Sequence, residues 1–372
     1  MRTTGADLDD PSSLVDADVD GLLHSVARSG AQVRAVAEAV REGVVEPLAT
    51  LRPRSLVVVT GASVAAAQSA RFVIAHAAAR LDVPLVSTPA LPGWIGPLDV
   101  VVVIGDDAGD PALADAASRA ARRHAETVVV APIEGPLADA VGGRGIDLSP
   151  RIVVPEQFRF AGHVAALIAV CQGLREVRFV GGDLDLEFLA DALDAEAARN
   201  HPSQDVYGAP AKSLAERLVA AAPVLSGDSP AGDALAARSA STLFAVAGVS
   251  ATAVDLATAM TRLLREPSGA RGVDAIFHDP EIDGPLPTHN QLFVLSSPAQ
   301  QWQARRRVAA LPDAEVLVGT APDESTDDAA AASPSRSVGE SADEGAAGLV
   351  AAVVLAARLE MAAVYAALLG GR

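Results

Sequence analysis

The period of the hydrophobic pattern changes along this chain, and the changes divide it. Over residues 13–44, Leu14, Leu22, Leu23, Val26, Val33, Val36 and Val40 recur at roughly helical spacing, which predicts a helix with one apolar face. From residue 55, short runs of β-branched residues alternate with longer alanine-rich stretches. SLVVVT (55–60), VPLVS (83–87), LDVVVVIG (98–105) and ETVVVAP (126–132) read as strands, and RIVVP (151–155) as an edge strand. GASVAAAQSARFVIAHAAARL, PALADAASRAARRHA and residues 159–174 read as the helices between and after them. Runs that are apolar at every position belong to strands buried on both faces, hence to a parallel sheet covered by helices. The pattern predicts a doubly wound α/β domain.

The alternation then starts again. A helical linker over roughly 184–200 leads to a helix at 211–222, a short strand PVLSG (223–227) and helices near 231–247 and 253–265. GVDAIF (272–277), QLFVLSS (291–297) and AEVLVG (314–319) read as further strands. Two α/β units in tandem imply a duplicated fold, although no fixed-period repeat is readable. PDESTDDAAAASPSRSVGESADEG (322–345) holds seven acids and one arginine among alanines and serines, the composition of a disordered insert. The expected boundaries are 13–175 for the first domain with its N-terminal helix and 176–210 for the linker. The second domain follows at 211–320, the insert at 321–345 and a docking helix at 346–372.

Composition narrows the partners. The net charge of −18 over 372 residues argues against nucleic acid and against an anionic membrane surface, since both need a basic face. Aromatic residues make up only 3%, so the cores must be built from Ala, Val and Leu. Lys212 is the only lysine and Cys171 the only cysteine. A lone cysteine excludes an internal disulfide and fits a reducing compartment. The N-terminus is acidic with no apolar h-region, so no signal peptide is expected. The C-terminal run GLVAAVVLAA, stopped by Arg358 and Glu360, is too short to span a bilayer. A soluble cytoplasmic protein is expected.

Four places could carry chemistry. In VVVTGASVAAAQSA, a glycine and small polar residues at a strand–helix turn let backbone approach a ligand, with Thr60, Gly61, Ser63 and Gln68 as its lining. The bland alternative is an ordinary βα turn. In VVVIGDDAGDPALADAA, Asp110 before Pro111 reads as a helix N-cap. Gly109 gives loop freedom, while Asp106 and Asp107 would repel a phosphate at a helix end that favours one. They suit a cation, an amino sugar or hydrated Mg²⁺, or are solvated loop acids. In FHDPEIDGP, His278 and Glu281 stand among further acids, equipment for acid–base work or a polar turn. In PLPTHNQ, His289 precedes a strand. The motifs G-x-x-x-x-G-K-[ST], G-x-G-x-x-G and G-x-S-x-G are absent from the sequence, so kinase, dinucleotide and hydrolase readings lose their usual support. No metal and no cofactor is called for.

The layout, with LLHSVARSGAQVRAVAEAV, LPGWIGPLDVVVVIGDDAGDPALADAA, VVVAPIEGPLADA, FHDPEIDGP and RLEMAAVYAALL, resembles the bifunctional phosphoglucose/phosphomannose isomerases built from SIS (sugar isomerase) domains, in their actinobacterial TobH-like branch. The resemblance covers almost the whole chain except the acidic insert. It implies two tandem SIS-type doubly wound parallel-sheet domains flanked by helices, a sugar phosphate or related carbohydrate derivative as ligand, and a homodimer. The departures from the family are as informative. The phosphate-binding S-x-S-G-x-T-x-E has no counterpart around Gly109, where Asp106, Ala108 and Pro111 replace the hydroxyls. The resemblance makes Arg238 a candidate ligand contact; counting from it along RSASTLFAV, Phe244 falls where the family has the Glu taken as its base. In HDPEIDG the ring-opening His position reads Asp279, with His278 one place early, and the family's C-terminal Lys is missing. The resemblance therefore implies a degenerate or regulatory carbohydrate-derivative binder. The alternative is an active aldose–ketose isomerase with Glu281 as base and His278 as ring-opening acid.

Overall fold

A computed structural model describes residues 6–265, 289–320 and 343–370. Its first sheet has strands β1 (Ser55–Val59), β2 (Leu85–Thr88), β3 (Asp99–Ile104), β4 (Glu126–Val130) and β5 (Ile146–Asp147), ordered β2-β1-β3-β4-β5 and parallel throughout. Every residue of β1 and β3 is buried, as their unbroken β-branched runs require. Alternation then assigns the faces. Val57, Val59, Val101, Val103 and Val129 pack with Leu113, Ala116 and Leu137. These come from helices α5 (Pro111–Arg122) and α6 (Gly135–Val141). Leu56, Val58 and Val102 meet helices α4 (Val64–Ala77) and α7 (Phe160–Gly173) on the other face, where Phe72 and Phe160 pack edge to face at 5.3 Å.

A second sheet contains β6 (Ala222–Gly227), β7 (Thr252–Ala253), β8 (Asn290–Ser296) and β9 (Glu315–Val318) in the parallel order β7-β6-β8-β9. In chain order helices α8 (Leu186–Arg199) and α9 (Pro210–Ala220) precede it, and α10 (Pro230–Ala247), α11 (Leu256–Leu263) and α12 (Gln301–Val308) accompany its strands. The chain divides into two compact units. One contains described residues 24–197 with 343–357. The other contains 6–23, 198–265 and 289–320 with 358–370. The expected α/β class and parallel sheets are present.

Several local expectations differ from what forms. The N-terminal helix is broken into α1 (Pro11–Ala17), α2 (Leu22–Val26) and α3 (Ser29–Arg41). The break sits at Gly21, whose φ is +64°, and the Asp18 carboxylate accepts from the N–H groups of Leu22 and Leu23 at 2.8 and 2.9 Å. A capping carboxylate beside a left-handed glycine ends one helix and starts the next, whatever the apolar spacing says. RIVVP forms no strand. The fifth strand is Ile146–Asp147, and the β-branched 151–155 run bends at Arg151 and Ile152 and joins no ladder. β7, α6 and α12 were not anticipated. GVDAIF, FHDPEIDGP and most of the acidic insert lie outside the described residues.

The C-terminal helix α13 (Asp343–Gly370) runs unbroken through Arg358 and Glu360. By length and composition its Gly345–Gly370 portion is apolar enough to cross a membrane, which corrects the expectation of a run too short to do so. It is a core helix by burial, with 78% of its most apolar window inside the fold. Its charges are accommodated: Arg358 donates to the Val318 carbonyl at 3.0 Å, and Glu360 accepts from Arg238 in a buried ion pair.

Candidate functional site at the first switch point

In a sheet ordered 2-1-3-4-5, the chain leaves β1 and β3 in opposite directions, and the turns after those two strands flank a crevice at the C-terminal edge. After β1 come Thr60, Gly61 and Ala62, then Ser63 as the N-cap of α4. After β3 come Gly105 to Gly109, then Asp110 as the N-cap of α5. Two of the sequence candidates thus face each other across the switch point.

Carboxylates fill this crevice. Asp110 accepts from the Ala112 N–H at 2.8 Å as an ordinary cap, and its second oxygen accepts from the Ala62 N–H at 2.7 Å across the crevice. That close approach explains Gly61. Its φ is +55°, and a Cβ there would lie 2.1 Å from Asp110 Oδ2. Gly61→Ala is expected to lower stability by about 2 kcal/mol, read as a fall in the urea midpoint, because it adds left-handed strain and displaces the bridging carboxylate. An unchanged midpoint would refute the bridge.

Asp106 completes the arrangement. Ser63 Oγ donates to its Oδ2 in a very short hydrogen bond. Its Oδ1 lies 3.2 Å from Arg159 Nε, and His163 Nε2 lies 3.6 Å from the same oxygen. Arg159 precedes α7 and His163 is one turn on, so the i, i+4 spacing puts both on one face of an otherwise apolar helix. Burial pushes the Asp106 pKa above its ordinary value, against the opposing pull of Ser63 and then Arg159. The N-terminus of α4 is equally committed. Ser63 Oγ accepts from the Ala66 N–H at 3.0 Å, and Glu156 accepts from the Ala65 N–H at 3.5 Å. Donors that would otherwise be offered to a phosphate therefore already point at internal acceptors.

The remaining candidates distribute as follows. Thr60 is buried, its N–H donating to the Thr88 carbonyl at 3.1 Å. Gln68 is half-buried on α4. Asp107 is exposed, and its Oδ1 accepts from the Gly109 N–H at 2.7 Å. Asp106 and Asp107 thus diverge, one inward and one into its own turn, and do not converge on a common cation. Arg238 belongs to the other unit, where it donates to Glu360 and, at 3.2 Å, to Thr242. His289 sits at the N-terminal end of β8, its carbonyl accepting from the Ala222 N–H at 2.9 Å. That is the sheet edge opposite the strand C-termini. His278 and Glu281 lie outside the described residues.

The second sheet contains a counterpart that the sequence did not signal. Asp228, just after β6, accepts a very short hydrogen bond from Ser296 at the end of β8. Burial raises the Asp228 pKa in the same sense as that of Asp106. In the first sheet the serine follows the earlier strand and the aspartate the later one; in the second the roles are exchanged. No common sequence motif could reveal the pair, because the two halves come from different turns in each unit.

The only lysine and the only cysteine of the sequence are both internal. The Lys212 ammonium donates to the carbonyls of Leu8, Pro202 and Gln204 at 2.7, 2.7 and 2.6 Å, which uses all three of its protons. Cys171 is buried, and its thiol is pushed up to about 12 by desolvation.

No family model matches the sequence. No curated protein matches it either. Solved structures do. A hypothetical protein from Thermus thermophilus superposes with a TM-score of 0.61 at 14% identity, covering 97% of this chain and 88% of that one. A proposed phosphosugar isomerase from Silicibacter pomeroyi gives 0.57 at 13% identity, with 93% and 96% covered. The tagatose-6-phosphate ketose/aldose isomerase of Escherichia coli gives 0.52 at 14% identity, with 98% and 95% covered. At these identities the likeness is one of fold, and the chain shares the fold of solved phosphosugar isomerase structures.

Proposed function

We propose that this protein binds a carbohydrate derivative and does not catalyse aldose–ketose isomerisation of sugar phosphates. The observation that carries this is Asp106, a carboxylate held by Ser63 and Arg159 within the crevice where a phosphate-binding turn is expected. Isomerisation of a phosphosugar needs a clamp for the phosphate, and here the clamp's hydroxyl and cation hold an internal anion instead. The Asp228–Ser296 pair supports the same reading for the second sheet. Lys212, with its donors committed to carbonyls, offers no free amine for chemistry. The role that follows is regulatory or non-catalytic binding, and a cytoplasmic homodimer within the TobH-like branch is part of this reading.

The test uses the full chain with glucose-, fructose- and mannose-6-phosphate. Interconversion is expected to stay at the uncatalysed level, while a carbohydrate derivative lacking a phosphate at this position raises the melting temperature in a saturable way. Turnover that disappears in Glu281→Gln would overturn the proposal and establish the active-isomerase reading. Absence of stabilisation by phosphorylated, neutral and amino sugars alike would overturn the binding role.

A further inference from the structure

The outer face of α12 stands out by its charge. Arg305, Arg306 and Arg307 form the one run of three consecutive basic residues in a sequence whose net charge is −18. Ala304 and Val308, one helical turn apart, are buried against the second sheet, so Trp302, Arg305 and Arg306 project from the opposite side. The three arginines are exposed, and Trp302 is 62% exposed. The Arg306 guanidinium lies over the Trp302 ring, 4.7 Å from its centroid. Surface arginines elsewhere are neutralised: Arg41, Arg52, Arg151 and Arg175 each meet a carboxylate. Arg305 and Arg306 meet none among the described residues. Arg307 sits on the flank, where its charge acts on Asp228. A helix C-terminus favours cations, which accounts for arginines in the last turn of α12. It gives no reason for an exposed indole beneath one of them. Tryptophan and arginine together are the residue types that concentrate at the energetic centres of protein–protein contacts.

Charge complementarity selects the occupant. Guanidinium groups match carboxylates in shape and charge, and the indole offers an apolar shelf between them. The eight residues of α12 span about 12 Å, the reach of a few peptide residues. A nucleic acid or another long polyanion would extend past this small patch into the field of an acidic chain, whereas a short peptide segment need not. We propose that the Trp302–Arg305–Arg306 face of α12 docks an acidic peptide segment of a partner protein, with carboxylates on the two guanidinium groups and an apolar side chain on the indole. The inference goes beyond the carbohydrate reading and uses none of the residues on which that reading rests.

Trp302 is one of only two tryptophans, so it can report on its own site. In the full chain carrying Trp94→Phe, tryptophan emission comes from Trp302 alone. Titration with the acetylated and amidated peptide EELEE is expected to shift that emission saturably, and the affinity should fall as salt is added. The neutral peptide QQLQQ should leave the emission unchanged. Arg305→Gln/Arg306→Gln is expected to weaken EELEE binding roughly tenfold, the loss of two exposed ion pairs. Arg71→Gln/Arg122→Gln removes two exposed charges from α4 and α5 instead and should change the binding little. All four substitutions are at the surface, so the fold is not at stake. No response to EELEE, equal responses to EELEE and QQLQQ, or equal losses in the two double variants would overturn the proposal. So would tighter saturation by a thymidylate oligonucleotide, which would make the face a nucleic-acid contact. An emission that changes with protein concentration in the absence of peptide would likewise overturn it and assign the face to a second copy of the chain.

Discussion

Asp106→Ser is expected to raise phosphate affinity, with inorganic phosphate or glucose-6-phosphate raising the melting temperature of the variant well beyond that of the parent protein. Two unit charges about 4 Å apart interact with about 4 kcal/mol near a protein surface. Removing the carboxylate lifts that repulsion and frees the groups it held. The Ser63 hydroxyl is freed to donate elsewhere, Arg159 loses its internal counter-ion, and the new hydroxyl stands where a phosphate-binding turn carries one. A gain of roughly a hundredfold or more in phosphate affinity follows from even two-thirds of that repulsion. Asp107→Ser is the control. Asp107 is exposed and turned toward Gly109, so its removal should change little. Equal gains in both variants would mean that overall charge, not the position of Asp106, excludes phosphate. No gain in Asp106→Ser would mean the crevice is closed by its shape.

Lys212→Met is expected to cost about 3 kcal/mol or more of stability, seen as a lowered urea midpoint. The side chain is fully buried, and methionine matches its length without its charge. The loss comes from three carbonyls, those of Leu8, Pro202 and Gln204, which surrender a charged donor together. Their positions explain why one lysine carries so much. Leu8 belongs to the N-terminal segment, while Pro202 and Gln204 precede α9 (Pro210–Ala220), so the ammonium ties two distant stretches of chain. Desolvation lowers the Lys212 pKa, against the pull of Asp9 and Asp205, which shows that burial is not free. A variant with an unchanged midpoint would show that water replaces the ammonium at these carbonyls.

The α/β class, the parallel sheets and most of the helices were legible in the chain's local period. The VVVT and VVVVIG runs can only be strands covered on both faces, and Asp110–Pro111 starts a helix wherever it stands. Local period also misled. The β-branched 151–155 run found no partner strand, and Gly21 with Asp18 cut a helix whose apolar spacing continued. Which polar groups meet depends on how distant turns are brought together by the fold. Asp106 and Asp107 are adjacent and chemically identical, yet one is held by Ser63 from 43 residues earlier and the other by its own turn. Arg159 and His163 carried only a faint signal, two polar residues four apart on an apolar helix. Asp228 and Ser296 are 68 residues apart and carried none. A crevice between two turns is a long-range object, and its charge is set by pairings that no window of sequence contains.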